Sequence, residues 1–160
     1  MSQAAPHLRS IRPKTILVID DDPVARNEIA EILEDEDLVP VLLESGSHAL
    51  RFMQNQNWSW SPSLIITDII MEGIGGYQLM RRVQELYPKK HVPIIVVSRL
   101  LTGDDVTEAE LAGASAYLTK PINAERLMEH VARVTGKDSN ARTFSSDLVD
   151  RLNDKRFRKR

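Results

Sequence analysis

At four places in the chain a polar side chain follows a β-branched apolar run. These are Asp20-Asp21-Asp22 after residues 15–19, Asp68 after 64–67, Ser98 after 92–97, and Lys120-Pro121 after 116–119. Carboxylates gathered at one edge repel one another unless a cation joins them. Oxygen donors without His or Cys favour Mg²⁺ over zinc. Lys120 and such a metal would define a place for an anion, and a phosphoryl group suits it. Its oxygens would be shared among Mg²⁺, the Lys120 ammonium and the Ser98 hydroxyl while a carboxylate attacks phosphorus in line. The expected chemistry is that of an aspartyl-phosphate site.

The elements that must bring these residues together are legible in the apolar pattern. Continuous apolarity over 15–19, 39–43, 64–67, 92–97 and 116–119 predicts strands buried on both faces, which belongs to parallel sheets. Between them, apolar residues at helical spacing predict helices over about 23–36, from Ser45-Gly46-Ser47 through Met53, from Tyr77 to Leu86, over 104–112 and over 123–134. Asp22 followed by Pro23 reads as an N-cap with proline in the first turn, so Asp22 is set apart from the metal ligands. Gly73, Gly75 and Gly76 mark a turn expected to be flexible. Five βα units in strict alternation predict a doubly wound α/β domain with a five-stranded parallel sheet and five helices. In such sheets ligands sit at the carboxyl ends of the strands, where all four polar stations fall.

Composition narrows the classes further. At 160 residues, with 42% hydrophobic and 28% charged residues, the chain suits one globular domain with short extensions. It has no cysteine, which excludes disulfide scaffolds, thiolate zinc sites and thiol nucleophiles. No apolar run approaches the roughly 20 residues of a membrane helix, and the first 13 residues lack the apolar core of a secretory signal, so a cytoplasmic location is expected. The net charge of −2 is unevenly spread: residues 14–136 hold 11 basic and 19 acidic side chains, and residues 137–160 hold 8 basic and 4 acidic. A flexible leader is expected over 1–13, the folded unit over 14–136, and a basic tail over 137–160. In that tail Leu148, Val149, Leu152 and Phe157 suggest a short helix. No helix-turn-helix fits in 24 residues, so sequence-specific DNA binding is not expected, although the basic end suits an acidic partner, a membrane surface or nucleic acid.

The segments ILVIDDDPVAR (16–26), LIITDIIMEGIGGYQLM (64–80), PIIVVS (93–98) and AGASAYLTKPI (112–122) resemble the receiver domain of two-component response regulators, of the chemotaxis single-domain type. The resemblance covers about 15–135, and it rests on the order, spacing and strand-end placement of the motifs together. It implies the flavodoxin-like strand order 2-1-3-4-5. It implies Asp68 as phosphoacceptor, and Mg²⁺ held by Asp20, Asp21, Asp68 and the backbone carbonyl of Ile70. Ser98 and Lys120 would bind the phosphoryl group, Tyr117 would be an aromatic switch turning inward on activation, and Pro121 would follow a cis peptide. The implied partners are a sensor histidine kinase or phosphotransfer protein and a downstream protein. A homodimer through the fourth helix, fifth strand and fifth helix belongs to the same expectation, and the protein would be a switch rather than an enzyme.

Some positions depart from the family pattern. Arg99 stands where a small residue is usual, so its long side chain would restrict access to Asp68 or add a second cation. Ile70 and Leu100 cannot hydrogen-bond an attacking water, which predicts slow self-dephosphorylation. Glu72 replaces a common proline, with an expected effect on loop stiffness. Asp20-Asp21-Asp22-Pro23-Val24 also resembles the nucleophile motif of haloacid-dehalogenase-type phosphatases, with Asp20 as nucleophile. That reading leaves Asp68 without a task and lacks an acidic motif after a later strand. A flavin module lacks a phosphate-cradling loop, and three carboxylates after the first strand would repel the cofactor. A receiver excised from a longer regulator is the remaining alternative. Glu34-Asp35-Glu36-Asp37 is expected to be a frayed helix end. Of Trp58 and Trp60, one is expected to fold back on the core. His7, His48, His91 and His130 show no ligand spacing.

Overall fold

The computed structural model describes residues 15–99, 102–136 and the backbone of 145–146. Its elements are β1 (Ile16–Ile19), α1 (Pro23–Glu34), β2 (Pro40–Leu43), α2 (Gly46–Gln54), β3 (Leu64–Thr67), α3 (Gly76–Leu86), β4 (Ile94–Ser98), α4 (Gly103–Leu111), β5 (Ala116–Thr119), α5 (Ala124–Thr135) and β6 (Ser145–Ser146). The strands form one parallel sheet in the order β2-β1-β3-β4-β5-β6. This is the expected 2-1-3-4-5 order with a two-residue strand added at one edge.

Because successive side chains in a strand point to opposite faces, each fully buried strand feeds two cores. Leu17, Ile19, Ile65, Val96 and Tyr117 pack with Met53 of α2, Leu79 and Met80 of α3, and Val106 of α4. Ile16, Val18, Ile66, Ile95, Val97 and Leu118 pack with Ile29 and Leu33 of α1 and with Leu127 and Val131 of α5. Each fully buried side chain of this size contributes about 1.5–3 kcal/mol of transfer free energy. β1, β3 and β4 therefore lie buried between helices, whereas the edge strand β2 is partly exposed at Leu42.

Local capping starts four of the helices. Asp22 accepts from the Val24 amide at 3.0 Å, Ser45 from His48 at 3.0 Å and Asn123 from Arg126 at 2.9 Å, while Thr102 and Asp105 form a reciprocal capping box. The end of α1 differs from the expected frayed run to residue 36. The helix stops at Glu34, and Asp37 adopts a left-handed φ of 59°. The Leu38 amide donates to Leu33 at 3.0 Å and the Asp37 amide to Glu34 at 2.9 Å. This pair of bonds is a Schellman closure, in which Leu38 folds back on the core beside Leu33, so tertiary packing overrides the unfavourable acidic run.

Within the tail the structure describes only the backbone of Ser145 and Ser146. These two residues form β6, in parallel register with Ala116 and Tyr117. An edge strand presents unpaired amides and carbonyls that another segment can satisfy, and side-chain periodicity does not reveal that demand. The apolar positions that suggested the helix, Leu148 to Phe157, lie outside the described residues, as does the leader 1–13. Trp60 folds back and meets Phe52 edge-on with ring centroids 5.8 Å apart, whereas Trp58 is 96% exposed. His130 is buried with Nδ1 3.3 Å from the Arg133 guanidinium, and His91 is exposed. Among the described residues, no helix is long and apolar enough to cross a membrane.

Candidate functional site

Strand register decides which strand-end residues meet. Ile19 of β1 lies opposite Thr67 of β3, so Asp20 and Asp68, one step beyond each, become neighbours at the same edge. The Asp68 amide donates to Ile19 O at 3.1 Å and the Asp20 amide to Leu43 O at 3.2 Å, extending the ladder under both carboxylates. On the other side Thr119 pairs with Ser98, and the Lys120 amide donates to Ser98 O at 2.9 Å. Lys120 is thereby aimed across the sheet edge, and the peptide that follows it, Lys120–Pro121, is cis.

The Lys120 ammonium bridges both acids, with Nζ 2.8 Å from Asp20 Oδ2 and 2.7 Å from Asp68 Oδ2. All three side chains are nearly closed off from solvent, at 9%, 1% and 11% exposure. Burial pushes the Asp20 carboxyl above its usual range, and the hydrogen bond from Lys120 opposes this only in part. Burial also disfavours the Lys120 ammonium, but hydrogen bonds and charge from Asp20 and Asp68 outweigh it and raise its pKa. The remaining oxygens are held by backbone. Asp20 Oδ1 accepts the Asp22 amide at 2.9 Å, and Asp68 Oδ1 accepts those of Ile69 at 2.6 Å and Ile70 at 3.3 Å.

Two supporting contacts carry no sequence signal. Arg26, one turn into α1, donates from its guanidinium to the Asp20 carbonyl at 2.6 Å. The Glu72 amide donates to Asp21 Oδ2 at 3.0 Å, a bond that a proline there could not make because it lacks an N–H. Glu72 thus bears directly on a candidate metal ligand, beyond the loop stiffness expected of it. The glycine run is also more than a flexible turn. A Cβ on Gly76 would stand 2.4 Å from the Asp68 carbonyl, so α3 begins in direct contact with the backbone of the site.

Ser98 is buried at the end of β4, and Tyr117 is fully buried with its ring inside the sheet–helix core. Burial pushes the Tyr117 phenol up to about 12, while hydrogen bonding to the Ser98 side chain acts in the opposite direction. The Tyr117 side chain is therefore turned into the core in this structure. Arg99 is exposed, with its guanidinium 3.9 Å from Asp22 Oδ2, and both line a cleft of about 310 Å³ beside Lys120 and Pro121. Ile70 is 63% exposed, and Leu100 lies outside the described residues.

The donor chemistry suits Mg²⁺. Asp20, Asp21 and Asp68 offer hard oxygens and, with Lys120, a formal charge of −2. Among the described residues no three acidic or imidazole side chains converge as a metal cluster, because Lys120 spans Asp20 and Asp68 while Asp21 faces Glu72. Asp20 and Asp68 thus stand at one edge with the Lys120 ammonium between them.

Comparison with known proteins agrees with this architecture. The chain is 29% identical over 120 residues to the chemotaxis protein CheY of Pseudomonas aeruginosa, covering 74% of this chain and 94% of that one. It is 29% identical over 118 residues to the heme response regulator HssR of Staphylococcus epidermidis, covering 74% of this chain but only 50% of that longer protein. A response regulator receiver domain protein from Methanospirillum hungatei shares the fold, with a TM-score of 0.70, 24% identity and coverage of 81% of this chain and 98% of that one. Residues 16–132 match the model of the response regulator receiver domain. With strand order and family match in agreement, the chain belongs to the response regulator receiver domain family of two-component systems.

Proposed function

We propose that this receiver is a phosphorelay switch in which Asp68 accepts a phosphoryl group from the phosphohistidine of a sensor kinase or phosphotransfer protein. The observation that carries the reading is the Lys120 ammonium held between Asp68 and Asp20 at 2.7 and 2.8 Å. An Asp68 oxygen attacks phosphorus, forming the P–O bond as the donor's P–N bond breaks. The bonding pair leaves with the imidazole, which departs neutral when its other nitrogen carries a proton. Asp20, Asp21, Asp68 and the Ile70 carbonyl would hold Mg²⁺, which would supply charge neutralisation for the phosphoryl oxygens. Lys120 neutralises a further share, and the Ser98 hydroxyl donates to the same group. Nearly two added negative charges draw on Lys120 and Ser98, and Tyr117, bonded to Ser98, carries that demand into the α4 side of the core. The output is a changed surface read by a downstream protein.

The Asp20 and Asp68 carboxylates are both hydrogen-bonded on each oxygen, but Asp20 is 1% exposed and Asp68 9%. Asp68 is thus the better placed of the two to meet a phosphoryl donor, and Asp20 the worse candidate for a phosphatase nucleophile. The test is a thermal melt with Mg²⁺ alone and with Mg²⁺ plus beryllium fluoride, a phosphoryl mimic, on the native chain and on Asp68→Asn. A ligand bound at about a hundred times its Kd stabilises the folded state by about 2.7 kcal/mol. The expected result is a rise in melting temperature that needs both additions and is lost in Asp68→Asn. A rise that survives Asp68→Asn would overturn the assignment.

The apolar, exposed side chain of Ile70 leaves the attacking water without a hydrogen-bond partner from that position. We expect Ile70→Asn to shorten the lifetime of the phosphorylated protein by about tenfold, less than the roughly hundredfold or more of a positioned acid–base group, because an amide orients the water without taking its proton. A decay time course identical to that of the native chain would remove Ile70 from the account.

A further inference from the structure

The pairing of β6 with β5 has no role in the phosphoryl chemistry, and it lies at the sheet edge flanked by α4 and α5. We propose that the chain's own C-terminal segment, 137–160, is the intramolecular partner of the α4–β5 edge. It is held there by strand pairing at Ser145–Ser146 and by attraction between its basic side chains and acidic α4. The proposal goes beyond the phosphorelay reading and stands whether or not Asp68 is phosphorylated.

Three observations carry it. First, Ser145 and Ser146 already lie in parallel register with Ala116 and Tyr117, satisfying backbone groups that an edge strand otherwise offers to any extended chain. Second, α4 contains Asp104, Asp105, Glu108 and Glu110 and no basic residue, and Asp104, Glu108 and Glu110 are exposed. The tail carries 8 basic and 4 acidic side chains, with Lys155, Arg156, Arg158, Lys159 and Arg160 gathered at its end. Third, the fourteen residues after Ser146 can span up to about 46 Å when extended, ample to reach a helix packed on the strand they leave. Leu111, 83% exposed at the end of α4, offers an apolar contact on the same side. Opposite charges tethered in one chain meet at high effective concentration, so individually weak surface attractions act together. The segment then covers the edge through which another protein or a second copy would pair.

Hydrogen exchange of the β5 amides in the full chain tests this, comparing the native sequence with Ser145→Pro/Ser146→Pro and with Glu108→Lys/Glu110→Lys. Proline removes the amides that strand pairing uses, and charge reversal on exposed positions of α4 leaves the core untouched. We expect β5 amides on the β6 side to exchange about tenfold faster in the proline variant, with a shift in the same direction for the charge variant and for the native chain at high salt. Exchange in β1 and β3 should stay unchanged, which separates release of the tail from general loosening. Identical β5 exchange in the native chain and both variants would overturn the proposal. So would β5 protection that grows with protein concentration, since that would place a second copy at the edge instead.

Discussion

Lys120→Ala is expected to destabilise the fold by about 3 kcal/mol at neutral pH, the low end for removing one partner of a buried ion pair. The substitution leaves Asp20 and Asp68 side by side with no ammonium between them, in a site where both side chains are nearly closed to water. The pH dependence has a defined sign. Asp20 already has a pKa raised by burial above the ordinary 3.8, so it binds its proton more readily folded than unfolded. Loss of Lys120 raises that pKa further. Stability from such a group is fully present below the unfolded value and is lost as pH rises through the folded one. The deficit of Lys120→Ala should therefore be largest at neutral pH and shrink as pH falls towards 4. Denaturant unfolding at several pH values measures it, and a deficit independent of pH would show that Lys120 acts through packing of its stem. Adding Asp68→Asn to Lys120→Ala should recover part of the loss, because one of the two unpaired charges is gone. Strict additivity in that cycle would contradict the coupling.

Alkaline unfolding provides the second large effect. Tyr117 is fully buried, and its phenol is pushed up to about 12 from an ordinary 10.0, so the folded state resists its ionisation. Stability from a raised acid is present below pH 10 and is lost as pH climbs to 12. Two pKa units correspond to about 2.7 kcal/mol over that window. Tyr77, which is partly exposed and also pushed up to about 12, and Lys120, whose pKa is raised from 10.5, act in the same direction. Tyr117→Phe should cost about 1 kcal/mol at pH 7, where only a hydrogen bond is lost. Between pH 10 and 12 it should lose about 2.7 kcal/mol less than the native chain, since the contributions of Tyr77 and Lys120 remain in both. Phenolate absorbance should show one fewer delayed titration step. Equal alkaline losses in the two proteins would mean that Tyr117 ionises without opposition and is not enclosed.

The first effect originates at strand ends that were conspicuous in the sequence, the second at a core residue inside β5. Polar residues directly after buried apolar runs stand out locally, and the same patterning announces parallel strands, helices and caps within a few residues of each other. Asp22, Ser45, Thr102 and Asn123 cap where their types suggest, because capping is a contact within one turn. The alternation of elements was enough for the doubly wound class, and the motif order for the 2-1-3-4-5 sheet.

What needed the tertiary structure is whatever depends on register or on a backbone partner. Lys120 reaches Asp20 across 100 residues and Asp68 across 52 only because β1, β3, β4 and β5 stand in fixed parallel register. Arg26 and Glu72 support the site through a backbone carbonyl and an amide, groups that every residue carries and that leave no mark in the sequence. The acidic end of α1 closes neatly because Leu38 is drawn to the core, a long-range burial that outweighs local charge. The use of Ser145–Ser146 as a sixth strand follows from the open edge of β5, not from any property of the two serines. By itself the sequence determined the elements, their alternation and the chemical types gathered at one edge. The tertiary structure decided which of those residues touch, since contact depends on the relative placement of whole strands and the sequence pattern specifies only their faces.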